Sequence, residues 1–279
     1  RTNKASLAIN TTAAEVTTTA RTLSSFDSDG FTTPNVTGDI FNDNGTAFVA
    51  WNWYKDSTAG FDIVSWAGNA TNRTISHSLS AVPAMMIVKN RSAATSWIVY
   101  HHKNTTAPQT DHLKLDTNDA TADDDSMWND TAPTSSVLSL KTSTSVNGNS
   151  ANYIAYLFAE KQGYSKFGSY IGNGNANGSF VYLGFKPAFL MIKCTDAARS
   201  WQIHNSKSSP FNNGNANARL FANLVDAEAT NSSLDLLSNG FKTREGDDLN
   251  TNGSGNAYIY MAFAEQPFVT STGIPATAR

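Results

Sequence analysis

Ser65-Trp66-Ala67-Gly68-Asn69 recurs in the chain as Ser169-Tyr170-Ile171-Gly172-Asn173, and the same spacing carries Trp97 onto Trp201. A later part of the unit occurs three times, as Phe48-Val49-Ala50-Trp51, Tyr153-Ile154-Ala155-Tyr156 and Tyr258-Ile259-Tyr260-Met261. Self-similarity with a period of about 105 residues indicates tandem copies of one structural unit. The repeat therefore decides the fold.

Only the later half of this unit is found near the N-terminus. Asp29-Gly30-Phe31 matches Asn239-Gly240-Phe241, and Ala14-Glu15 matches Ala227-Glu228, but no counterpart of residues 66–97 precedes them. A β unit that lacks half of its strands has unpaired edges and an uncovered apolar face. We expect the chain to be part of a longer polypeptide, or another subunit or the neighbouring repeat to complete the unit.

Within each unit, short apolar runs alternate with loops rich in Asn, Gly, Asp and Ser. This pattern predicts an all-β fold of tandem antiparallel β-sandwich repeats, of jelly-roll or lectin-like type. We assign residues 1–55 to the C-terminal half of a first repeat, 61–161 to a second repeat, 165–267 to a third and 268–279 to a tail. Tyr258-Ile259-Tyr260-Met261-Ala262-Phe263 is apolar at both alternations, which predicts a strand covered on both faces.

Composition excludes several classes of protein. Charged residues make up 15% of the chain and the net charge is −3, which argues against a nucleic-acid partner because phosphate binding needs clustered Lys and Arg. The longest apolar stretches are far shorter than the roughly 20 residues needed to span a bilayer, so no membrane insertion is expected. Helix is limited to single turns, expected at 11–16 and 226–230.

No arrangement of residues predicts catalysis. The neighbouring His101 and His102 would point to opposite faces of a strand, so they do not readily share a metal ion. Glu160 and Glu265 occupy matching places in two repeats, which is more typical of a structural role than of the facing carboxylates of a glycosidase. The single cysteine, Cys194, matches Asn90 and is expected to be structural. We predict a non-enzymatic protein.

No cofactor and no metal ligand are assigned. Two acidic runs, Asp123-Asp124-Asp125 and Asp247-Asp248, leave structural calcium open, because calcium prefers flexible oxygen ligands. The runs do not coincide in the repeat frame, which favours solvated loops.

Binding residues are sought among those that the repeats do not share. Recurrent aromatic residues in strands are expected to be core, whereas aromatic and Asn side chains in unshared loops are suited to stacking on sugars and to bonding their hydroxyl groups. The candidate ligand-binding residues are Trp128, Asn173, Asn175, Asn177, Asn213 and Asn215.

Four stretches carry a family resemblance. They are Arg73-Thr74-Ile75-Ser76-His77-Ser78-Leu79, Val82-Pro83-Ala84-Met85-Met86-Ile87-Val88-Lys89-Asn90-Arg91, Gly163-Tyr164-Ser165-Lys166-Phe167-Gly168-Ser169-Tyr170 and Tyr258-Ile259-Tyr260-Met261-Ala262-Phe263-Ala264-Glu265. The chain resembles a repeated domain of tail-fibre and other surface proteins of marine tailed bacteriophages. The resemblance implies a concanavalin-like β-sandwich in a virion surface protein, exposed to the extracellular medium, and no catalytic residues.

Three functions are therefore open. The first is a tail-fibre or adhesion module that contacts host-surface glycan as a homo-oligomer, expected to be a trimer, together with other virion proteins. The second is a purely structural fibre or capsid decoration protein without a ligand. The third is an enzyme that degrades surface polysaccharide, which needs facing carboxylates. A binding module should show an exposed aromatic residue beside Asn or Asp in a concave loop site.

Overall fold

The structure, a computed structural model, describes residues 5–17, 22–34, 41–232, 234–246 and 248–266. The strand pairings among them are antiparallel, and the one helical element there is the 3-10 turn Gly214–Ala216. The predicted all-β fold class is confirmed. The predicted tail, 268–279, lies outside the described residues.

We call residues 5–55 the N-terminal segment and residues 61–161 the middle unit. The segment holds β1 (Ser25–Phe26) and β2 (Phe31–Thr32). The middle unit holds β3 (Phe61–Ala67), β4 (Arg73–Ser76), β5 (Met85–Asn90), β6 (Ile98–His101), β7 (Asp111–Lys114), β8 (Ala122–Asp123), β9 (Val137–Leu140) and β10 (Asn152–Phe158). Its main sheet has the order β3-β10-β5-β6-β7-β8, and β4 and β9 form a small outer sheet.

We call residues 165–266 the C-terminal unit. Its strands are β11 (Ser165–Ile171), β12 (Phe180–Tyr182), β13 (Pro187–Cys194), β14 (Gln202–Asn205), β15 (Asn217–Phe221), β16 (Ala229–Ser232), β17 (Leu234–Leu237), β18 (Gly240–Thr243) and β19 (Ala257–Ala264). The main sheet has the order β11-β19-β13-β14-β15-β16, which is the order of the middle unit again, and the outer sheet is β12-β18-β17.

The repeated Ser-aromatic-x-Gly-Asn motif closes each sandwich. Trp66 stacks on Tyr153 with 5.6 Å between ring centroids, and Tyr170 stacks on Tyr258 at 5.0 Å. Gly68 is required because a Cβ there would lie 2.0 Å from the carbonyl oxygen of the neighbouring loop. The motif thus joins the first strand of the unit to its last strand, and each aromatic residue of the pair is core, as predicted.

Each main sheet is covered on both faces. One face packs under the small outer sheet of its own unit, around Trp128 and Leu138 in the middle unit and around Phe241 in the C-terminal unit. The other faces of the two main sheets pack against each other in one shared core. The apolar residues at both alternations of β19 follow from this layering, because burial of apolar surface drives both contacts.

Three hairpins occupy corresponding places in the repeat. They close at the pairs Ser6 with Val16, His112 with Ala122, and Arg219 with Ala229. We call them the first, second and third hairpins. Two of them include the residues 11–16 and 226–230, for which single helical turns were predicted, and that prediction is wrong. In the first of these stretches, the Glu15 and Val16 amides donate to the Arg91 and Ser6 carbonyls rather than to carbonyls of a preceding turn.

The first hairpin binds the middle unit through two side-chain donors. Lys89 Nζ donates to the Thr12 carbonyl at 2.7 Å, and Trp97 Nε1 donates to the Ala8 carbonyl at 3.0 Å. Both donors belong to the unit that follows the hairpin in the chain. These two bonds are directed at backbone oxygens, and the Glu15 side chain of the hairpin adds an ion pair with Arg91.

The second hairpin binds the C-terminal unit in the same way. Lys193 Nζ donates to the Asn118 carbonyl at 3.2 Å, and Trp201 Nε1 donates to the Lys114 carbonyl at 2.9 Å. Lys193 and Trp201 are the repeat counterparts of the lysine and tryptophan that bind the first hairpin. The lysine and tryptophan of the repeat are therefore connectors between successive units.

Three matching aromatic residues meet where the segment and the two units converge. Trp53, Phe158 and Phe263 lie at the same position of the repeat, and their ring centroids are 6.1 Å, 5.5 Å and 6.0 Å apart. Equivalent residues in mutual contact define a local pseudo-three-fold axis. We call these residues the aromatic triad.

Candidate ligand-binding site

Trp128 does not reach the surface. Its side chain is 1% exposed, its Nε1 donates to the Asp111 carbonyl at 3.0 Å, and its ring packs edge-on against Tyr100. A buried indole with a satisfied N–H is a core residue. The loop that carries Trp128 folds back onto the sheet, so this predicted contact with a surface ligand is not available in the structure.

The Asn173, Asn175 and Asn177 side chains lie in one exposed loop that is bonded largely to itself. Asn173 Oδ1 accepts from the Asn175 amide at 3.0 Å, and Asn175 Oδ1 accepts from the Asn177 amide at 2.8 Å. Asn177 Oδ1 accepts from Lys242 Nζ at 2.6 Å. These acceptors shape the loop, and their role as ligand contacts stays a prediction.

Asn213 and Asn215 flank a second loop. The Asn213 amide donates to Asn217 Oδ1 at 2.8 Å, and Asn213 is exposed. Asn215 is within the 3-10 turn Gly214–Ala216, where the structure describes its backbone alone. Their predicted role in binding also stays a prediction, but the residues just before them form a concave surface.

That surface, which we call the Phe211 cleft, has a volume of about 380 Å³. Its lining residues are Lys186, Ser206, Ser209, Pro210, Phe211, Asn212 and Leu236. The Phe211 ring is 82% exposed. An aromatic ring held open to solvent in a concave loop has a large apolar face available to a ligand.

The loop backbone around Phe211 is fixed from two sides. Asn212 Nδ2 donates to the Leu236 carbonyl at 3.1 Å, and Asn212 Oδ1 accepts from the Leu236 amide at 2.9 Å. The Ala218 amide donates to Ser209 Oγ at 2.6 Å. Asn212 therefore attaches the loop to the outer sheet, and the Phe211 ring extends from a braced loop.

Polar groups complete the Phe211 cleft. Ser206 is 4% exposed, and its Oγ has no partner among the residues that the structure describes. Lys186 Nζ forms an ion pair with Glu265 Oε2 at 2.8 Å. A buried hydroxyl without a partner costs free energy unless a water or ligand satisfies it, and this hydroxyl lies buried in the wall of the cleft.

A second cleft, of about 500 Å³, lies where the second hairpin meets the C-terminal unit. It is lined by Asn118, Ala198, Arg199, Ser200, Arg219, Asn231, Glu245, Asp248, Leu249 and Asn250, none of which is aromatic. Asp248 accepts from Gln202 Nε2 at 3.1 Å and forms an ion pair with Arg219 at 3.4 Å. The cleft suits polar groups but gives a sugar ring no stacking face.

His101 and His102 are contacts between units. His101 Nε2 lies 3.1 Å from the Tyr260 carbonyl, and His102 Nε2 lies 3.0 Å from the Phe167 carbonyl. The Lys103 amide donates to His101 Nδ1, so the proton is on Nε2, which donates to Tyr260. Burial is the main cause that lowers the pKa of His101 to about 3, and the neighbouring His102 contributes to this shift. This imidazole is neutral and structural.

The acidic runs lie near His112 and His204, because β8 pairs with the strand that carries His112 and Gln202 bonds both Asp248 and His204. Asp125 forms an ion pair with Lys141, and Asp248 is bonded within its own cleft. No group of three or more His, Cys, Asp or Glu residues close enough to hold a metal ion occurs in the described part of the chain. Cys194 is buried, and burial is the main cause of the raised pKa of its thiol. Among described residues, no helix has the length and apolar character of a membrane span.

Sequence reasoning missed the residues that form the Phe211 cleft. Phe211 follows Pro210 and precedes Asn212-Asn213, and this combination of an aromatic residue in a loop rich in Pro and Asn was the available signal. Ser206 and Lys186 come from distant parts of the chain, so only the fold brings them to Phe211.

Comparison with known proteins identifies the family of the chain. No curated protein and no solved structure matches it. One family matches residues 1–267, which is nearly the whole chain and includes the N-terminal segment and both units. The chain therefore belongs to the family described as a domain of unknown function, DUF7483.

Proposed function

We propose that the chain is a non-enzymatic module of a virion surface, of the tail-fibre kind, that attaches to a host-surface glycan. The observation that carries the proposal is the Phe211 cleft, where a ring that is 82% exposed stands beside a buried, unpaired Ser206 hydroxyl. The motifs shared with phage surface proteins support the location of the module on a virion, in contact with the extracellular medium.

The cleft has the chemistry that a sugar needs. The apolar face of a pyranose stacks on an aromatic ring, while its hydroxyl groups bond to fixed polar groups. Here Lys186 and Ser206 line the cleft, with the Ser206 hydroxyl buried in its wall, and Asn213 flanks the loop. None of the residues that line the cleft is a carboxylic acid, whereas glycoside hydrolysis usually uses two facing carboxyl groups, which favours binding over cleavage.

Such a site is shallow, so a single copy should bind weakly. Linked copies raise apparent affinity because the second binding event becomes intramolecular. The predicted homo-oligomer, a trimer, would supply those copies on a fibre, and this assembly is part of the proposal.

The test is a glycan-array screen of the purified chain, after light scattering has fixed its oligomeric state. We expect selective binding to one class of glycan that is lost in Phe211→Ala. The matched control is Phe26→Ala, which removes an equally large exposed ring from the N-terminal segment. Loss of binding in both variants, or in neither, would contradict the assignment of the Phe211 cleft.

A second candidate function is a structural fibre or capsid decoration module. It is favoured by the apolar surface of the N-terminal segment, where Phe48 and Tyr54 are exposed. A stable protein that binds no glycan on the array, and binds other virion proteins instead, would support this function over attachment.

A further inference from the structure

Burial alternates along the stretch 48–54, so that every second side chain is exposed. Its inward residue Trp53 packs in the shared core, but Phe48 on the opposite face is 53% exposed. The matching residues Tyr153 and Tyr258 are completely buried under the outer sheets of their units. Within its described residues, the N-terminal segment therefore has the inner half of the layering and no cover like that of the two complete units.

The hairpin β1–β2 shows the same deficit. It pairs Phe26 with Phe31 as β17–β18 pairs Leu236 with Phe241. Leu236 and Phe241 are buried in the C-terminal unit, whereas Phe26 is exposed. The hairpin thus resembles a piece of an outer sheet, and among the described residues no strand pairs beside it as β12 pairs with β18.

The third hairpin is the only one of the three whose connector contacts are not made within the described residues. Val225 occupies the place of Thr12 and Asn118, whose carbonyls accept from Lys89 and Lys193. No described residue donates to the Val225 carbonyl, and the side chain is 87% exposed. At the position where the other two hairpins bind a unit, the third hairpin therefore has a backbone acceptor without a donor among the described residues and an exposed apolar side chain.

We propose that these surfaces form one docking site for a third front half-unit. By this we mean a polypeptide with the strand pattern of residues 61–106, which holds β3 to β6. Its first strand would pair beside 48–54, and its lysine and tryptophan, at the spacing of Lys89 and Trp97, would bind the third hairpin. The added half-unit would complete a third unit around the aromatic triad. Its contact with the third hairpin would match those that the first and second hairpins already form.

Charge complementarity adds a requirement on the occupant. Glu15 in the first hairpin forms an ion pair with Arg91 at 2.7 Å, and Glu228 stands in the matching place of the third hairpin. Glu228 is exposed. The occupant is therefore expected to carry an arginine at the position of Arg91, two residues after the connecting lysine.

A second copy of the chain does not fit this site as a donor. Both of its lysine connectors, Lys89 and Lys193, already bind hairpins of their own chain, as do Trp97 and Trp201. Docking on another molecule would break those hydrogen bonds and leave their backbone acceptors without donors in the chain's own hairpins.

The experiment attaches a copy of residues 61–106 directly before Arg1. In the repeat frame, residue 106 immediately precedes the counterpart of residue 1, so the junction needs no linker. Hydrogen exchange is followed in 48–54, in 221–228 and, as an internal reference, in 153–159. We expect exchange in the first two stretches to slow at least ~100-fold in the fused chain, with a higher Tm, because both become part of a buried sheet contact.

Two matched variants identify the contact. Changing Lys89→Met and Trp97→Ala in the added copy alone should remove most of the protection in 221–228. Glu228→Arg should lower the Tm of the fused chain and leave that of the original chain unchanged.

The proposal is overturned if the fused chain keeps normal protection in 153–159 but leaves 48–54 exposed. It is also overturned if light scattering shows the original chain to be an oligomer in which 48–54 is already protected, because a second copy would then be the occupant.

Discussion

The contact between the first hairpin and the middle unit differs from the contact between the two complete units. Both use a lysine and a tryptophan that donate to backbone carbonyls. The first contact adds the partly buried ion pair of Glu15 with Arg91, whereas the second adds the fully buried imidazole of His101. The connecting lysine and tryptophan are thus the same in both contacts. The residues around them differ, because the neighbouring unit excludes water to a different extent in each contact.

The largest difference in the cost of a substitution is expected between the aromatic triad and the stretch 48–54. Phe158→Ala should lower the free energy of unfolding by about 3–5 kcal/mol, because it removes a buried ring that contacts Trp53 and Phe263. Phe48→Ala removes a ring that is more than half exposed and should cost less than ~1 kcal/mol. Chemical denaturation of both variants measures the ratio, and equal losses would contradict the layering.

The contact between the complete units should be sensitive to acid. Burial lowers the pKa of His101 to about 3, below the value of 6.5 in an unfolded chain, so the unfolded state binds the extra proton as pH falls. The contribution of the neutral imidazole to the free energy of unfolding is fully present above pH 6.5. As the pH falls below that value, this contribution decreases by about 1.4 kcal/mol per pH unit. Denaturation between pH 7 and pH 4 should show a shallower slope for His101→Gln than for the original chain. Parallel slopes would mean that the imidazole is not buried in the folded state.

The two connecting tryptophans should differ although their bonds are alike. Trp201→Phe leaves the Lys114 carbonyl without its donor inside the contact between complete units, which should cost about 1–3 kcal/mol. Trp97→Phe removes the donor to the Ala8 carbonyl. Ala8 is exposed, so water can replace the donor, and the loss of unfolding free energy should be under ~1 kcal/mol. The same denaturation measurement checks both. A larger loss for Trp97→Phe would reverse the order of burial that the structure shows.

The smallest effect is expected for the ion pair of the first hairpin. Glu15→Gln removes the negative charge opposite Arg91, and the loss should be about 0.5–1 kcal/mol at low salt because both side chains are partly solvated. Measured again at 1 M salt, where charges are screened, the difference between variant and original should shrink. A loss that does not depend on salt would indicate packing rather than charge.

The sequence predicted what periodicity encodes. The strand predicted from the run that begins at Tyr258 and ends at Phe263 is observed as Ala257–Ala264. Apolar residues at both alternations correctly indicated sheets covered on two faces. These features depend on the local pattern of apolar and polar residues, and the repeat shows that pattern in more than one copy.

Features that depend on distant contacts were not predictable. Trp128 lies in an unshared loop, and nothing local shows that its N–H meets the Asp111 carbonyl in the core. A helical turn was expected in the first hairpin because of its Ala-Glu composition. That composition carries no information about the hydrogen bonds that Lys89 and Trp97 donate to the hairpin's carbonyls. The Phe211 cleft combines residues from three strands or loops, so its polar half appears only after folding.

The most direct test of the pseudo-three-fold arrangement is a double-mutant cycle within the aromatic triad. Trp53→Ala and Phe263→Ala are made singly and together, and their free energies of unfolding are compared, with Phe48→Ala and Phe263→Ala as the matched cycle. The rings of Trp53 and Phe263 are 5.5 Å apart, so a coupling energy of about 0.5–1.5 kcal/mol is expected in the first cycle and none in the second. Additive losses in the Trp53 cycle would contradict the convergence of the N-terminal segment with the C-terminal unit.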